Sequence, residues 1–462
     1  MTTTFCLVEP PAWMTDPAIG RLFDGLEADG GQAWFVGGCV RDALLGRLAN
    51  DVDIATTLLP TQTMAALDRA GIDHRPTGID HGTITALVAV GGDDGGRRPI
   101  EVTTLRRDVE TDGRHAVVDF TTDWVRDAGR RDFTMNALFA HRTGAVLDAF
   151  GGADDALNGR VVFIGDPICR IDEDALRILR FFRFFAWYGS GRPDPGATDA
   201  CRARRGAVGR LSGERVRAEL LRLLAAADPL PAWRSMLACG VLAVLAADTA
   251  GDDDQSGDQQ VGDQQAGDQQ AGERGATALE TALRYGLTRL EGADSVFRLG
   301  LVLAPIAGGR IGAVASRLRL SREEQRRVGD VAAGLAAVTE NAEIGRDRRP
   351  LRRLAVERGV DAALAALAFS WPPTAVGAES KVGTASAVPS DRADLADLVQ
   401  VASSPPPFPL RGRDLVAAGL PPGPDVGRHL DEIRKWWLDR DCGPDRNACL
   451  AELIGRIETG SD

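Results

Sequence analysis

The spacing of apolar residues changes character along this chain, and the change divides it. In the N-terminal part, short apolar runs alternate with helix-spaced stretches. Asp16 to Asp29 reads as a helix with Pro17 in its first position. Ala33 to Val36 is a brief apolar run that stops at Gly37 and Gly38, and Val40 to Leu45 resumes helical spacing. That is a strand, a tight turn and a helix start. Leu58 to Gly71 opens on Pro60 and Thr61 and reads as a helix closed by glycine. Ile72 to Thr77, Ile84 to Val90 and Pro99 to Thr104 are rich in β-branched residues and read as strands. Thr103 to Asp119 is polar, contains glycine and lacks a clear period, so it reads as a loop.

Leu147 to Gly159, a glycine and aspartate connector, leads into a new pattern and sets a boundary near residue 155. Glu173 to Tyr188 is the most strongly helical stretch: Leu176, Leu179, Phe182 and Phe185 recur at helical spacing, and Phe181, Phe184 and Trp187 widen the stripe. Leu211 to Leu224 predicts another helix, capped by Ser212. After Ala225 the chain is helical and rich in alanine and leucine, with two interruptions. The repeat GDQQVGDQQAGDQQAG, residues 257 to 272, holds too few apolar residues to bury a core and is expected to be disordered. Trp371 to Asp391, rich in Pro, Gly, Ser and Ala, reads as a loop or linker. Pro424 to Gly427 then opens a helix that packs through Leu430, Ile433 and Trp437. The pattern predicts an α+β chain. A head with a mixed sheet and helices, residues 1–155, precedes an all-α neck (156–225), body (226–370), linker (371–395) and tail (396–462).

Composition changes this picture in one respect. The formal charge of −12 argues at first against a nucleic-acid partner, but it is unevenly spread. Residues 251–275 carry a net −6, and residues 156–225, with thirteen arginines and eight acids, carry a net +5. A local basic zone binds phosphates despite an acidic total. Arg202, Arg204 and Arg205 in that zone, and Arg411, Arg413 and Arg428 near the C-terminus, are candidate RNA contacts. Seven cysteines without CxxC spacing suggest neither a zinc site nor a disulfide framework and fit a reducing compartment. No leader and no 18-residue apolar segment is read in the sequence, so the expectation is a cytoplasmic protein with no membrane partner.

The chemistry gathers at FVGGCVRDALLGRLANDVDIA, Phe35 to Ala55. Gly37 and Gly38 let a phosphate approach backbone N–H groups at a helix start. Asp51 and Asp53 alternate with Val52 and Ile54, so both carboxylates face one side of a strand. Two adjacent carboxylates repel unless a cation lies between them, and an all-oxygen site suits Mg²⁺. Glu101, with Ile100 and Val102 facing the other way, becomes a third carboxylate there if its strand neighbours that of Asp53. Arg131, Asp132 and Asn136 stand at spacings of one and four, which would bring them together on a helix. His81, in the loop TGIDHGTIT, reads as structural.

GGxVRDxxLG followed by DxDIA resembles the active-site signature of the tRNA nucleotidyltransferase and poly(A) polymerase family, class II of the DNA polymerase β-like nucleotidyltransferases. RRDFTMNAL and EDALRILR are similar to two further motifs of that family. The resemblance implies a nucleotidyltransferase head in which Asp51 and Asp53 hold two Mg²⁺ ions, with Glu101 beside them as a catalytic candidate. It implies nucleotide binding by Gly37, Gly38, Arg41, Arg131, Asp132, Asn136, Asp174, Arg177 and Arg180. Asp132 and Arg131 fall to the ribose and triphosphate, while Asp174 and Arg177 read the base as a protein template. One carboxylate and one guanidinium suit both cytosine and adenine, which each offer an exocyclic amine beside an acceptor, and should reject guanine and uracil. The segment holding Glu214, Arg217 and Glu219 resembles the family's ERxxxE brace of the template helix, and the region 103–119 corresponds to a loop that moves with the incoming nucleotide.

The implied reaction is addition of CCA to the 3′ end of tRNA from CTP and ATP, with no stable protein partner evident. A poly(A) polymerase, or an enzyme adding only CC or only A, would carry the same motifs. A non-catalytic RNA-binding module would have no reason to keep Asp51, Asp53, Asp174 and Arg177 at these spacings.

Overall fold

The computed structural model describes residues 3–7, 9–49, 51–89, 96–111, 116–246, 258–287, 294–371 and 388–459. Two compact units divide the chain, Met1–Ala250 and Gly251–Asp462.

The first unit is built on a mixed eight-stranded sheet. Its strands are β1 (Thr3–Cys6), β2 (Ala33–Val36), β3 (Asp53–Thr56), β4 (His74–Gly78), β5 (Thr83–Ala89), β6 (Arg97–Thr104), β9 (Leu138–Ala140) and β10 (Ala145–Asp148). The order across the sheet is β1-β10-β9-β2-β3-β6-β5-β4. Among the described strand pairs only β3 and β6 are parallel, with Asp53 opposite Glu101 and Ile54 opposite Val102. Strands β7 (Arg106–Thr111) and β8 (Ala116–Phe120) form a separate antiparallel ribbon. The loop expected over Thr103 to Asp119 is therefore largely a hairpin. Pairing of the two strands satisfies their backbone groups.

Helices α1 (Pro17–Glu27), α2 (Gly38–Leu44) and α3 (Pro60–Arg69) follow the sequence pattern. Asp16 caps α1 by accepting from the Ala18 N–H at 2.8 Å. Val52, Ile54, Ile100 and Val102 enter one core with Leu22, Phe23 and Leu26 of α1 and Leu67 of α3. The opposite sheet face carries Ala55, Phe139 and Val36, packed with Ala128 and Ile164.

Then come α4 (Trp124–Gly129), α5 (Gly152–Leu157), α6 (Pro167–Glu173), α7 (Leu176–Tyr188), α8 (Pro195–Arg204), α9 (Gly213–Leu224), α10 (Leu230–Ala238) and α11 (Val241–Ala246). The expected connector at 147–159 thus contains the end of β10 and a short helix. The boundary expected near residue 155 falls inside the first unit. The Phe133 ring lies 4.9 Å from Phe163 and 5.2 Å from Phe184, so one aromatic core runs across that point. Ser212 precedes α9 without a side-chain cap bond.

The second unit is helical: α12 (Asp258–Tyr285), α13 (Ser295–Ala307), α14 (Ile311–Arg317), α15 (Arg322–Glu340), α16 (Arg348–Arg358), α17 (Val360–Ser370), α18 (Val388–Ser403), α19 (Gly412–Ala417), α20 (Pro424–Asp439) and α21 (Arg446–Thr459). Three expectations are corrected here. The repeat region is helical from Asp258 onward, continuous with a stretch whose Ala276, Ala278 and Leu279 are buried; residues 251–257 lie outside the described part. Gln, Ala and Asp tolerate a helix that tertiary packing has already nucleated. The linker expected over 371–395 overlaps α18, while residues 372–387 lie outside the described part. Finally, Ser295–Arg317 is long and apolar enough to cross a membrane by length and composition alone. It packs against α12 and α15 with Phe297, Leu299 and Leu301 fully buried, so its apolarity serves the core. Within that core Arg327 is held between Asp294 at 2.5 Å and Asp361 at 2.7 Å.

Candidate active site

Local sequence places the first carboxylates. Val52 and Ile54 are pulled into the core, which leaves Asp51 exposed and Asp53 half-buried on the other side of the chain. The parallel register sets Glu101 directly beside Asp53, on the same sheet face. Burial first, then the charges of Glu101 and Asp51, push the Asp53 carboxyl up to about 6, and Arg131 pulls against that rise. Among the described residues no group of three or more His, Cys, Asp or Glu side chains is gathered closely enough to hold a metal ion by itself. Mg²⁺ seldom needs one, because it takes one or two carboxylates and completes its shell with water and substrate phosphate. A mutually repelling acidic set on an open face therefore fits a divalent cation.

Next to these acids stands the glycine turn. Gly37 has φ +74°, and a Cβ there would lie 3.2 Å from Nη1 of Arg131. The turn is thus glycine so that the arginine can lie against the backbone. Cys39, one residue further on, is buried and donates its thiol to the Val36 and Asp53 carbonyls at 3.4 and 3.8 Å. Burial pushes that thiol up to about 11, which leaves it an inert fastener between α2 and β3.

Asp127 is 1% exposed and accepts from Arg130 at 2.8 Å and Arg131 at 3.1 Å. Burial opposes its charge, yet the two arginines hold its carboxyl below the usual range. It fixes Arg131, whose Nε is buried with no hydrogen-bond partner among the described residues. Arg131 therefore stands beside the turn and the acids with donor capacity to spare, as an anion site requires. Asp127 went unnoticed in the sequence, although it stands three and four residues before the two arginines, the spacing of a helical ion pair.

Asp132 and Asn136 do meet, though not on an α-helix, while the Arg131 side chain goes to Asp127. Phe133 is extended and Thr134–Asn136 is a single 3-10 turn. The turn brings the Asn136 side-chain amide to Asp132 Oδ1 at 3.0 Å, while Arg180 grips Asp132 Oδ2 through Nε at 2.8 Å and Nη2 at 2.5 Å. Burial opposes ionisation of Asp132, and Arg180 and Asn136 outweigh it and hold the carboxyl below its ordinary value. Arg41 is likewise buried and committed to the protein. Its Nη1 donates to Asn136 Oδ1 at 2.5 Å, Nη2 to the Tyr188 hydroxyl at 2.6 Å and Nε to Asp42 at 3.0 Å.

The single helix expected over Glu173–Tyr188 is broken. Asp174 is extended, with φ −153° and ψ 107°, between α6 and α7. Its Oδ1 accepts from the Leu176 N–H at 3.0 Å and its Oδ2 from Arg215 of α9 at 2.6 Å. Arg177 donates to Glu173 at 2.5 Å and to the Arg170 carbonyl at 2.9 Å. Asp174 and Arg177 thus flank a helix start instead of sharing a helical face, and Arg180 points to Asp132. Glu219 of α9 accepts from Arg183 at 2.5 Å, so α9 braces α7 from behind.

Among the RNA candidates, Arg202 pairs with Asp199 and Arg204 with Asp172, both exposed, and Arg205 donates to the Arg202 carbonyl. In the second unit Arg411 leads into α19, where its N–H donates to Asp414, Arg413 lies near the same carboxylate, and Arg428 pairs with Asp425 in the first turn of α20. Ile433 and Trp437 are buried beneath that surface.

Comparison with known proteins bears on the head domain and on the fold. Residues 33–162 match the poly A polymerase head domain. The mitochondrial CCA tRNA nucleotidyltransferase 1 of Danio rerio is 44% identical over 191 residues, 41% of this chain and 43% of that protein. The CCA-adding enzyme of Streptococcus gordonii is 43% identical over 36% of this chain and 39% of its own. The matched stretch spans less than half the length of these curated relatives. The crystal structure of Bacillus stearothermophilus CCA-adding enzyme in complex with CTP superposes at a TM-score of 0.68, with 23% identity, over 96% of this chain and 99% of that one. Thermotoga maritima CCA-adding enzyme complexed with tRNA gives 0.66 at 19% identity over 99% and 100%. The chain therefore has the fold of the CCA-adding enzymes, with a match to the poly A polymerase head domain over residues 33–162.

Proposed function

We propose that this chain adds C, C and A to the 3′ end of tRNA from CTP and ATP without a nucleic-acid template. The observation that carries the reading is the pairing of Asp53 with Glu101 across parallel strands, with Asp51 beside them and Arg131 against the glycine turn. These residues lie within the stretch that matches the poly A polymerase head domain, and relatives named CCA tRNA nucleotidyltransferase 1 and CCA-adding enzyme are 44% and 43% identical to part of this chain.

Asp51 and Asp53 would hold Mg²⁺, which when bound supplies positive charge to the α-phosphate and lowers the pKa of the attacking 3′ hydroxyl. The chain's own residues do the positioning, which dominates phosphoryl-type transfer. The Gly37 N–H already donates to the Leu138 carbonyl at 2.9 Å, so the Gly38 N–H and the Arg131 guanidinium would receive the triphosphate. Asp132, fixed by Arg180 and Asn136, orients the sugar end of the pocket. Glu101 stands where it can share the metal charge or accept the hydroxyl proton. Asp174, set by Arg215, accepts from the exocyclic amine of cytosine or adenine, and Arg177 donates to the neighbouring ring acceptor. Guanine or uracil would face like groups and leave buried polar atoms unpaired. Arg202, Arg204 and Arg205 in the neck, with Arg411, Arg413 and Arg428 in the tail, would meet the tRNA backbone. A cytoplasmic location is part of this reading, and the seven unpaired cysteines suit a reducing compartment.

The test supplies the purified chain with tRNA lacking its 3′ CCA and with CTP, ATP, UTP or GTP singly and in pairs. Incorporation of CTP alone, and of ATP after CTP, is the expected result. ATP tails of arbitrary length on any RNA would support a poly(A) polymerase instead, and absence of any incorporation would remove the reading.

A further inference from the structure

The sequence gives no reason to single out Tyr188, yet its side chain closes a ring of contacts between the phosphate and base ends of the site. Arg41 of α2 lies over the Tyr188 ring, 3.9 Å from its centroid, and donates to the Tyr188 hydroxyl at 2.6 Å. From Arg41 the contacts run to Asn136, from Asn136 to Asp132, and from Asp132 to Arg180, which returns to α7 two turns before Tyr188. Phe184, midway between Arg180 and Tyr188, is flanked by the guanidinium groups of Arg41 at 5.5 Å, Arg180 at 5.4 Å and Arg183 at 4.2 Å. Helix α7 is thus fastened to the head at both ends: near its start Arg180 grips Asp132, and at its end Arg41 and Arg47 lie over the Tyr188 ring, 3.9 and 4.9 Å from its centroid, while Arg47 also donates to the Trp187 carbonyl at 2.9 Å. Fastenings eight residues apart fix both the position and the rotation of the helix.

Resting on the functional reading above, we infer that Tyr188 is a specificity-positioning residue: through Arg41 it sets the register between the glycine turn that receives phosphates and the α7 start that reads the base. A nucleotide bound at both ends reports that register directly. A molecule bound only by its phosphates does not.

The experiment compares the full chain with its Tyr188→Leu and Tyr188→Phe variants, using trimmed tRNA. Tyr188→Leu loses both stack and hydroxyl. It should raise KM for CTP and ATP about tenfold and increase UTP incorporation relative to CTP, with kcat at saturating CTP within about twofold. Inhibition by inorganic tripolyphosphate, which occupies the phosphate end alone, should stay unchanged. Tyr188→Phe keeps the stack and should raise KM only about threefold. It carries the test if the leucine variant does not fold. A tripolyphosphate inhibition that weakens in step with KM, or a KM and base preference left unchanged, would overturn the inference while the functional reading stood. A wild-type chain that incorporates neither CTP nor ATP would overturn the functional reading, and the inference with it.

Discussion

Asp53 and Glu101 come from segments about fifty residues apart and meet as direct neighbours on the parallel strand pair β3 and β6 of the eight-stranded sheet. Asp53 pays for that proximity with a carboxyl displaced upward to about 6, where an unfolded chain would titrate near about 4. The folded chain therefore binds that proton more tightly than the unfolded one. Its contribution favours folding at low pH, declines as pH rises through about 4 to 6, and is absent above that window.

Asp53→Asn tests both sides of this relationship. Without metal at pH 7 the variant should be more stable than the parent by on the order of 1–3 kcal/mol in urea unfolding, with the difference disappearing at pH 4. Its nucleotidyl transfer should fall by roughly a thousandfold, the loss of several kcal/mol of charge stabilisation. A variant that transfers nucleotides at the parental rate would sink the assignment of Asp53.

Divalent metal should act through the same carboxylates. Millimolar Mg²⁺ is expected to raise the thermal midpoint of the parent at pH 7.5 and to raise it less at pH 5, where Asp53 holds its proton in competition. Glu101→Gln removes one of the charges that lift Asp53, so its metal response should persist to lower pH. Calorimetric scans across pH in the presence and absence of Mg²⁺ measure both.

Asp132 is 8% exposed and its charge is matched by Arg180. Arg180→Met leaves that carboxylate buried without its cation and should cost about 3 kcal/mol in urea unfolding. Changing both, Asp132→Asn with Arg180→Met, should restore part of the loss, because the uncompensated charge is gone. Equal destabilisation by the single and double variants would show that the pair does not carry the cost.

Gly37→Ala places a Cβ 3.2 Å from Arg131 in a backbone conformation that L-residues rarely adopt. It is expected to cost about 1–3 kcal/mol of stability and to weaken inhibition by tripolyphosphate, since Arg131 must move. A variant with parental tripolyphosphate inhibition would show that the turn and Arg131 are not one phosphate site.

Arg215→Met frees Asp174 Oδ2 from its 2.6 Å partner. Discrimination between CTP and UTP should drop about tenfold, in line with loss of one charged hydrogen bond. The ratio of kcat/KM for the two nucleotides is the measurement, and an unchanged ratio would remove Arg215 from base selection.

Much of the site could be read from residue order, because its chemistry is local. The glycine turn, the alternation that leaves Asp51 and Asp53 on one side of Val52 and Ile54, and the amphipathic run of α7 all arise from spacings of two to four residues, the range over which backbone periodicity acts. The partnership of Glu101 with Asp53 could be posed from alternation but was decided only when β6 lay parallel to β3. The pairing of β7 with β8 and the helix over the GDQQ repeat carry no clear hydrophobic period of their own; pairing and neighbouring packing impose them. The apolar spacing over Glu173 to Tyr188 puts Asp174 inside a helix, whereas the folded chain breaks there and hands the carboxylate to Arg215. Tyr188 and Arg41, 147 positions apart, show the same division. A sequence fixes which groups a segment offers to each face, whereas only the packed structure, by excluding water from between distant segments, decides which of those groups must satisfy one another.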